Sequence, residues 1–170
     1  MPEQTKILGT HYYRFLAECT FISQKAKQLI YSEINPNKKV VLKTELLFSS
    51  SFNSTQNPIK AANGISNILL LAELGNSKIV GGYTESPFSP SLTPSRNTAM
   101  ILHLSAGKVY KNGGHAGTIS MTSDSLKWGQ NELVFRAPNA IELNAGTVYS
   151  VSESERQYCH RLELYKVVEL

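Results

Sequence analysis

Four large apolar residues in a row, Ile68-Leu69-Leu70-Leu71, followed by Ala72, Glu73 and Leu74, leave almost no polar face to turn toward water. The run is shorter than a typical helix and is bounded by turn residues, the pattern of a strand buried on both faces. A buried helix over Ile68 to Leu74 is the alternative, but it would be shorter than an average helix. Gly75-Asn76-Ser77 suits a hairpin loop, and the chain returns through Lys78-Ile79-Val80. Gly81-Gly82 inside a strand pattern implies a close backbone approach or a bulge. Pro87 cannot donate to a ladder, so the strand ends before it. The stretch Ile68 to Phe88 therefore reads as the central hairpin of an antiparallel sheet.

The rest of the chain is arranged around it. Residues 1–10 carry little pattern and read as an arm. Tyr12, Phe15, Leu16, Cys19, Ile22, Ala26, Leu29 and Ile30 recur at three- and four-residue steps, which predicts an amphipathic helix from Tyr12 to Ile30 with Thr10 as its N-cap. Tyr13 and Phe21 fall off the stripe and either pack on the same domain or meet a partner. Pro36 forbids helix and disfavours it one residue earlier. Beyond it the period becomes two: Leu42, Thr44, Leu46 and Phe48 share one strand face. Ser49 to Thr55 is a polar loop. Pro58 to Asn63 forms a helical turn with Asn57 as cap and Gly64 as stop.

After the hairpin, Ser89 to Ser95 is a proline- and serine-rich connection, a candidate mobile or partner-contacting loop. Ala99–Leu104 is a strand, turned by Ser105-Ala106-Gly107 into Lys108-Val109-Tyr110, and Asn112 to Gly117 is a flexible loop. Thr118–Met121, Glu132–Arg136, Ala140–Leu143 and Val148–Val151 read as short strands. Trp128 precedes Gly129 in the segment Leu126–Asn131, as an aromatic plug where the backbone bends. Leu162 to Val168 alternates and closes a sheet. Many short strands after one helix predict an α+β, mainly β chain. Its expected form is a two-sheet antiparallel β-sandwich with an N-terminal amphipathic helix and short flanking helices. The expected division is an arm and helix over residues 1–36 packed on a domain of residues 37–170.

With 170 residues, one domain is expected, and 18% charged against 41% apolar residues places the chain among globular proteins. No apolar run approaches the roughly 20 residues needed to cross a membrane. Met1 to Lys6 shows no apolar signal core, so an intracellular protein of the cytoplasm or cytoskeleton is expected, with no membrane insertion. In that setting Asn53-Ser54-Thr55 is a glycosylation acceptor in form only. Cys19 and Cys159 are expected as reduced, partly buried thiols. The formal net charge of +4 favours acidic partners. The one basic-rich region, Lys25, Lys27, Lys38, Lys39 and Lys43, has no interleaved aromatics and reads as a solvated face, so nucleic-acid binding is not expected.

Catalytic patterns are sparse. Gly113, Gly114 and Gly117 lack the lysine and the following helix of a phosphate-cradling loop. A G-x-S-x-G elbow is absent. His11, His103 and His115 stand alone, and Cys159-His160 on a strand point to opposite faces. Glu153 and Glu155 belong to a polar loop and Glu163 and Glu169 to the last strand, all expected as surface carboxylates. Cys19 and Cys159 remain as redox-sensitive candidates, with only His160 and Arg161 near Cys159 in sequence to lower a thiol pKa. No catalytic, cofactor-binding or metal-ligating residue is assigned from the sequence, and no cofactor is expected.

The order of elements from Leu42 to Val168 resembles a TLDc domain. Glu45-Leu46-Leu47-Phe48-Ser49 is similar to that family's opening strand, and Phe52-Asn53-Ser54 stands at its usual Asp-Gly-x-Ser turn. Asn67 to Phe88 is similar to its central hairpin, Trp128 to Phe135 to its glycine-rich element, and Arg161 to Val167 to its closing strand. The chain departs from the family in lacking the Asp-Gly turn and in carrying Gln130-Asn131 where a glycine is usual. The resemblance implies a β-sandwich flanked by helices, an association with oxidative-stress resistance and binding of the vacuolar proton-pumping ATPase, and it carries no catalytic residues over. The expected function is a non-enzymatic protein-interaction module, a structural or adaptor subunit of a larger cytoskeletal, microtubule-associated or ciliary assembly. The alternatives are a regulator of the vacuolar ATPase, a thiol-dependent enzyme using Cys19 or Cys159, and, on fold analogy alone, a sugar-binding sandwich.

Overall fold

The computed structural model describes residues 15–36, 40–51, 56–89, 93–95, 99–111 and 117–170. Its centre is the hairpin of β2 (Ile68–Leu74) and β3 (Ile79–Thr84). Ile68, Leu70, Ala72 and Leu74 face one hydrophobic core, while Leu69 and Leu71 face a second. That split is why the strand can be apolar at nearly every position. The hairpin closes through Leu74 N to Lys78 O at 2.8 Å, with Ser77 at a φ of 67°. β3 ends at Thr84, ahead of Pro87. The paired glycines are a close approach without a bulge, since the β2–β3 register runs unbroken from Ile68↔Thr84 to Glu73↔Ile79.

The described strands form one eleven-stranded sheet in the order β4-β7-β8-β9-β10-β11-β2-β3-β5-β6, with β1 also on β11. Every pairing is antiparallel. The remaining strands are β1 (Leu42–Ser49), β4 (Thr93–Ser95), β5 (Met100–His103), β6 (Lys108–Lys111), β7 (Gly117–Met121), β8 (Ser125–Trp128), β9 (Leu133–Arg136), β10 (Ala140–Leu143) and β11 (Glu155–Glu169). The chain is thus mainly β. Where two stacked sheets are expected from the sequence, the ladder is continuous, and β11 joins its two parts. Its first residues pair with β10, and from Cys159 onward it pairs with β2, with β1 along Glu163–Glu169. The sheet curls so that β2, β3 and β5 meet β7 to β10 around the first core, which holds Trp128, Phe135, Leu133, Ile141, Leu143 and Tyr149.

The outer face of β1, β11, β2, β3 and β5 is covered by the N-terminal segment, whose Phe15, Leu16, Cys19, Ile22 and Ile30 pack on Leu69, Leu71, Tyr83, Met100 and Tyr165. Here the expected helix from Tyr12 to Ile30 is corrected. Thr10 and Tyr12 to Arg14 lie outside the described residues. Helix α1 spans Gln24–Ile34, with Ser23 Oγ accepting from Ala26 N at 3.1 Å as its N-cap. Leu16 has a φ of 57°, outside the helical region, and Leu16 O accepts from Cys19 N in a turn. An irregular turn therefore presents the same apolar spacing to the sheet that a helix would. At its other end α1 runs past Ile30 and stops at Asn35, the residue before Pro36, as that proline requires.

Other departures have local causes. The β1 register shifts between Leu46 and Phe48, so Phe48 joins the first core while Leu42 and Leu46 lie with the second. One extra residue in a strand reverses the facing of all that follow. Val148–Val151 is no strand, because Ser150 has a φ of 57° and Tyr149 and Val151 are buried from an irregular loop. Part of the proline-rich connection pairs as β4, and Leu126 to Trp128 lies in a strand that ends at the bend of Gly129, φ +69°. The short helix α2 (Pro58–Ala62) is as expected, capped by Asn57 Oδ1 accepting from Ile59 N at 2.9 Å. No helix among the described residues is long and apolar enough to cross a membrane.

Candidate functional site

The outer face of β9, β10 and β11 has no helix over it among the described residues. Side chains alternate across a strand, so with Leu133, Phe135, Ile141 and Leu143 turned into the core, their neighbours lie on the other face, where Val134 is still fully buried and Arg136 is exposed. The ladder then fixes two rows. Arg136 lies opposite Ala140 and Ala140 opposite Tyr158; Val134 lies opposite Glu142 and Glu142 opposite Arg156. β8 extends the second row with Lys127 beside Val134. A cavity of about 520 Å³ opens over these rows, lined by Arg136, Ala140, Glu142, Arg156 and Tyr158 among others.

Tyr158 is 71% exposed, the most exposed large hydrophobic side chain among the described residues. The Arg156 side chain is 85% exposed and meets Glu142 at 3.3 Å, the opposite charge directly across the ladder. The face thus carries Lys127, Arg136 and Arg156 against Glu142. Its backbone is held on both sides, by Gly75 N donating to Tyr158 O at 3.1 Å and Cys159 N donating to Asn139 O at 2.6 Å. An aromatic ring and guanidinium groups on rigid strands can take an acidic or aromatic group by stacking and charge-assisted hydrogen bonds.

The residues singled out in the sequence lie elsewhere. Cys19 is buried against Glu163 and Tyr165, and burial pushes its thiol up to about 12. Cys159 is partly buried against the first core, and burial alone takes it to about 12. Both are free thiols, and His160 lies exposed on the neighbouring position of β11. The thiolate is the nucleophile, so neither environment favours thiol chemistry.

Glu163 corrects an expectation: it is buried at 7% exposure and accepts from the Tyr165 hydroxyl at 2.7 Å. Burial, then this hydrogen bond, raise the Tyr165 phenol far above its ordinary value. Glu155 opens β11 and pairs with Lys78. Glu153 accepts from Lys108 at 2.6 Å, which lowers the carboxyl and raises the amine. Lys43 meets Glu45 at 3.7 Å and Phe21 packs against the second core. His11, Tyr13, Lys38, Lys39, Asn53, Gly113, Gly114 and His115 lie outside the described residues, and Gly117 begins β7.

Three polar features escaped the sequence. His103 is buried, its Nδ1 accepting from Ala106 N at 3.1 Å and its Nε2 lying 3.4 Å from Glu153. Nδ1 is thereby taken as an acceptor, while Nε2 is buried without a hydrogen-bond partner. Glu132 is 2% exposed; Oε2 accepts from Tyr149 N at 2.9 Å, and Oε1 has no hydrogen-bond partner. A second cavity, of about 280 Å³, lies between the end of α1 and the sheet, with Glu33, Glu85 and Glu169 on its walls. Burial, then Glu85 and Glu169, keep the Tyr83 phenol there protonated. Among the described residues no group of His, Cys, Asp and Glu side chains comes together as a metal ion needs.

The Arg136, Arg156 and Tyr158 face had one sequence signal, the alternation of Arg156, Tyr158 and His160 just before the recognised strand. No family model matches this sequence, and no curated protein matches it.

Proposed function

We propose that this chain is a non-enzymatic interaction module, an adaptor or structural subunit that meets an acidic partner through the outer face of β9, β10 and β11. The observation that carries the reading is Tyr158, left 71% exposed at the end of the row of Arg136, Ala140 and Tyr158 and two residues along β11 from Arg156. Exposed aromatics beside arginine are the composition of interface anchors. The net charge of +4 agrees with an acidic partner. The raised thiol pKa values of Cys19 and Cys159 argue against a thiol-dependent enzyme.

We read the curled sheet as the β-sandwich of a TLDc domain. The reading is supported by the order of Glu45–Ser49, the β2–β3 hairpin, Trp128–Phe135 and Arg161–Val167 along the chain. Under that reading the vacuolar proton pump belongs among the partners to be assayed, beside cytoskeletal scaffolds with acidic surfaces.

Crosslinking mass spectrometry in intact cells tests the proposal. Crosslinks to a common partner through Lys127, lost when Arg136→Glu and Arg156→Glu are combined, are expected. Crosslinks confined to Lys25, Lys27 and Lys60, unchanged by that double variant, would overturn it. Pump subcomplexes and polymerised tubulin, each tested with the purified wild type and the double variant, then identify the partner class.

A further inference from the structure

We infer that the space above Ala140 is a specificity slot for the ring of one aromatic residue carried in an acidic peptide segment; the inference rests on the interaction-module reading and names its ligand. Arg136, Ala140 and Tyr158 stand in one cross-strand row, with the small residue in the middle. Arg136 and Tyr158 are therefore separated by two strand spacings, about 9.6 Å. A planar ring packed on both sides at ordinary contact distances of about 3.5–4 Å needs roughly 7–8 Å between the flanking groups. One ring fits between them with Ala140 as its floor, and a larger side chain on β10 would fill the space. The cavity of about 520 Å³ found there is lined by all three residues.

The walls fix the chemistry. The Tyr158 ring offers offset or edge stacking, and the Arg136 guanidinium offers a flat cation to the other ring face. Arg156 and Lys127, in the adjoining row, lie where carboxylates flanking the aromatic residue would reach them. Glu142 stands between them and holds Arg156 at 3.3 Å. That carboxylate weighs against a nucleic-acid strand, whose affinity comes from many phosphate contacts along a continuous basic surface. The strands hold the slot's shape before binding, through the hydrogen bonds on either side of Tyr158 and Cys159.

Fluorescence anisotropy with the full chain tests this. The probes are a labelled peptide of glutamates and aspartates around one central phenylalanine, its twin with alanine at that position, and a labelled oligothymidylate. The phenylalanine peptide is expected to bind about tenfold more tightly than its twin. Ala140→Leu and, separately, Tyr158→Ala are expected to bring it down to the twin's affinity. Both positions are on the surface, and circular dichroism checks the fold of each variant. Equal binding of the two peptides, or a phenylalanine peptide indifferent to both variants, overturns the slot and leaves the acidic-partner reading standing. Tighter binding of the oligothymidylate than of either peptide, or binding of none of the three, overturns both.

Discussion

The Trp128 indole N–H donates to the carbonyl oxygen of Tyr83 at 3.0 Å, and its ring lies over Gly82. Trp128 is on β8 and Tyr83 on β3, five steps apart in the strand order β8-β9-β10-β11-β2-β3. This contact ties one part of the curled sheet to the other. Phe88 packs edge-on against the same ring, with centroids 4.9 Å apart.

Gly82→Ala places a Cβ 2.7 Å from the Trp128 ring and 2.8 Å from Leu133 Cδ2, both fully buried and unable to retreat. Overpacking of this kind costs about 1–3 kcal/mol. The expected outcome is a lower urea midpoint with an unchanged slope. Trp128 is the only tryptophan in the chain, so its emission reports the same contact.

The two thiols make stability depend on alkaline pH. Each is raised from an ordinary 9.0 to about 12 by burial, so folding holds it neutral where the unfolded chain would ionise it. The stabilisation is complete below pH 9.0 and is lost as pH rises toward about 12, at up to about 1.4 kcal/mol per pH unit for each thiol. Urea midpoints should fall between pH 9 and 10.5 more steeply in the wild type than in a Cys19→Ser, Cys159→Ser double variant. At neutral pH, Ellman's reagent should react with neither thiol until denaturant is added.

Glu132 pins the loop before β11 through Tyr149 N, so Glu132→Ala removes that buried hydrogen bond and opens a void beneath Gly129 and Gly146. The expected loss is about 2–4 kcal/mol. Glu132→Gln keeps an acceptor for Tyr149 and should cost less than half as much, measured by chemical denaturation of both variants.

Tyr165→Phe removes the hydrogen bond to buried Glu163, under the segment that carries Cys19. Removing one of the donors to a buried carboxyl group costs about 1–3 kcal/mol. Limited proteolysis should then cut faster between Phe15 and Ile34 than in the wild type, while the β2–β3 hairpin stays resistant.

Legibility in the sequence followed how local each cause is. Asn57, Pro58 and Gly64 contain the whole reason for α2, and Ile68–Leu71 with Gly81-Gly82 contain most of the reason for the hairpin. The start of α1 was hidden because a turn at Phe15–Glu18 buries the same residues that a helix would. The first part of β11 was hidden because Glu155 to Arg161 shows no apolar alternation and is held as a strand by its ladder partners, β10 and the end of β2. Glu132, Glu163 and His103 were hidden because their partners, apart from the nearby Tyr165 and Ala106, come from distant segments. For the same reason the Arg136, Ala140 and Tyr158 row could not be assembled from a linear reading: its members meet only through the register of three strands.

β11 is the last strand in chain order, yet it touches β10, β2 and β1. During synthesis the earlier strands must wait, with apolar edges open, until residues 155–169 have left the ribosome. Such long-range pairing is slow to form and exposed to aggregation while it forms. Nascent chains ending before residue 155 should therefore be chaperone clients, and the segment that completes the ladder also sets the earliest moment at which the protein can exist in its final form.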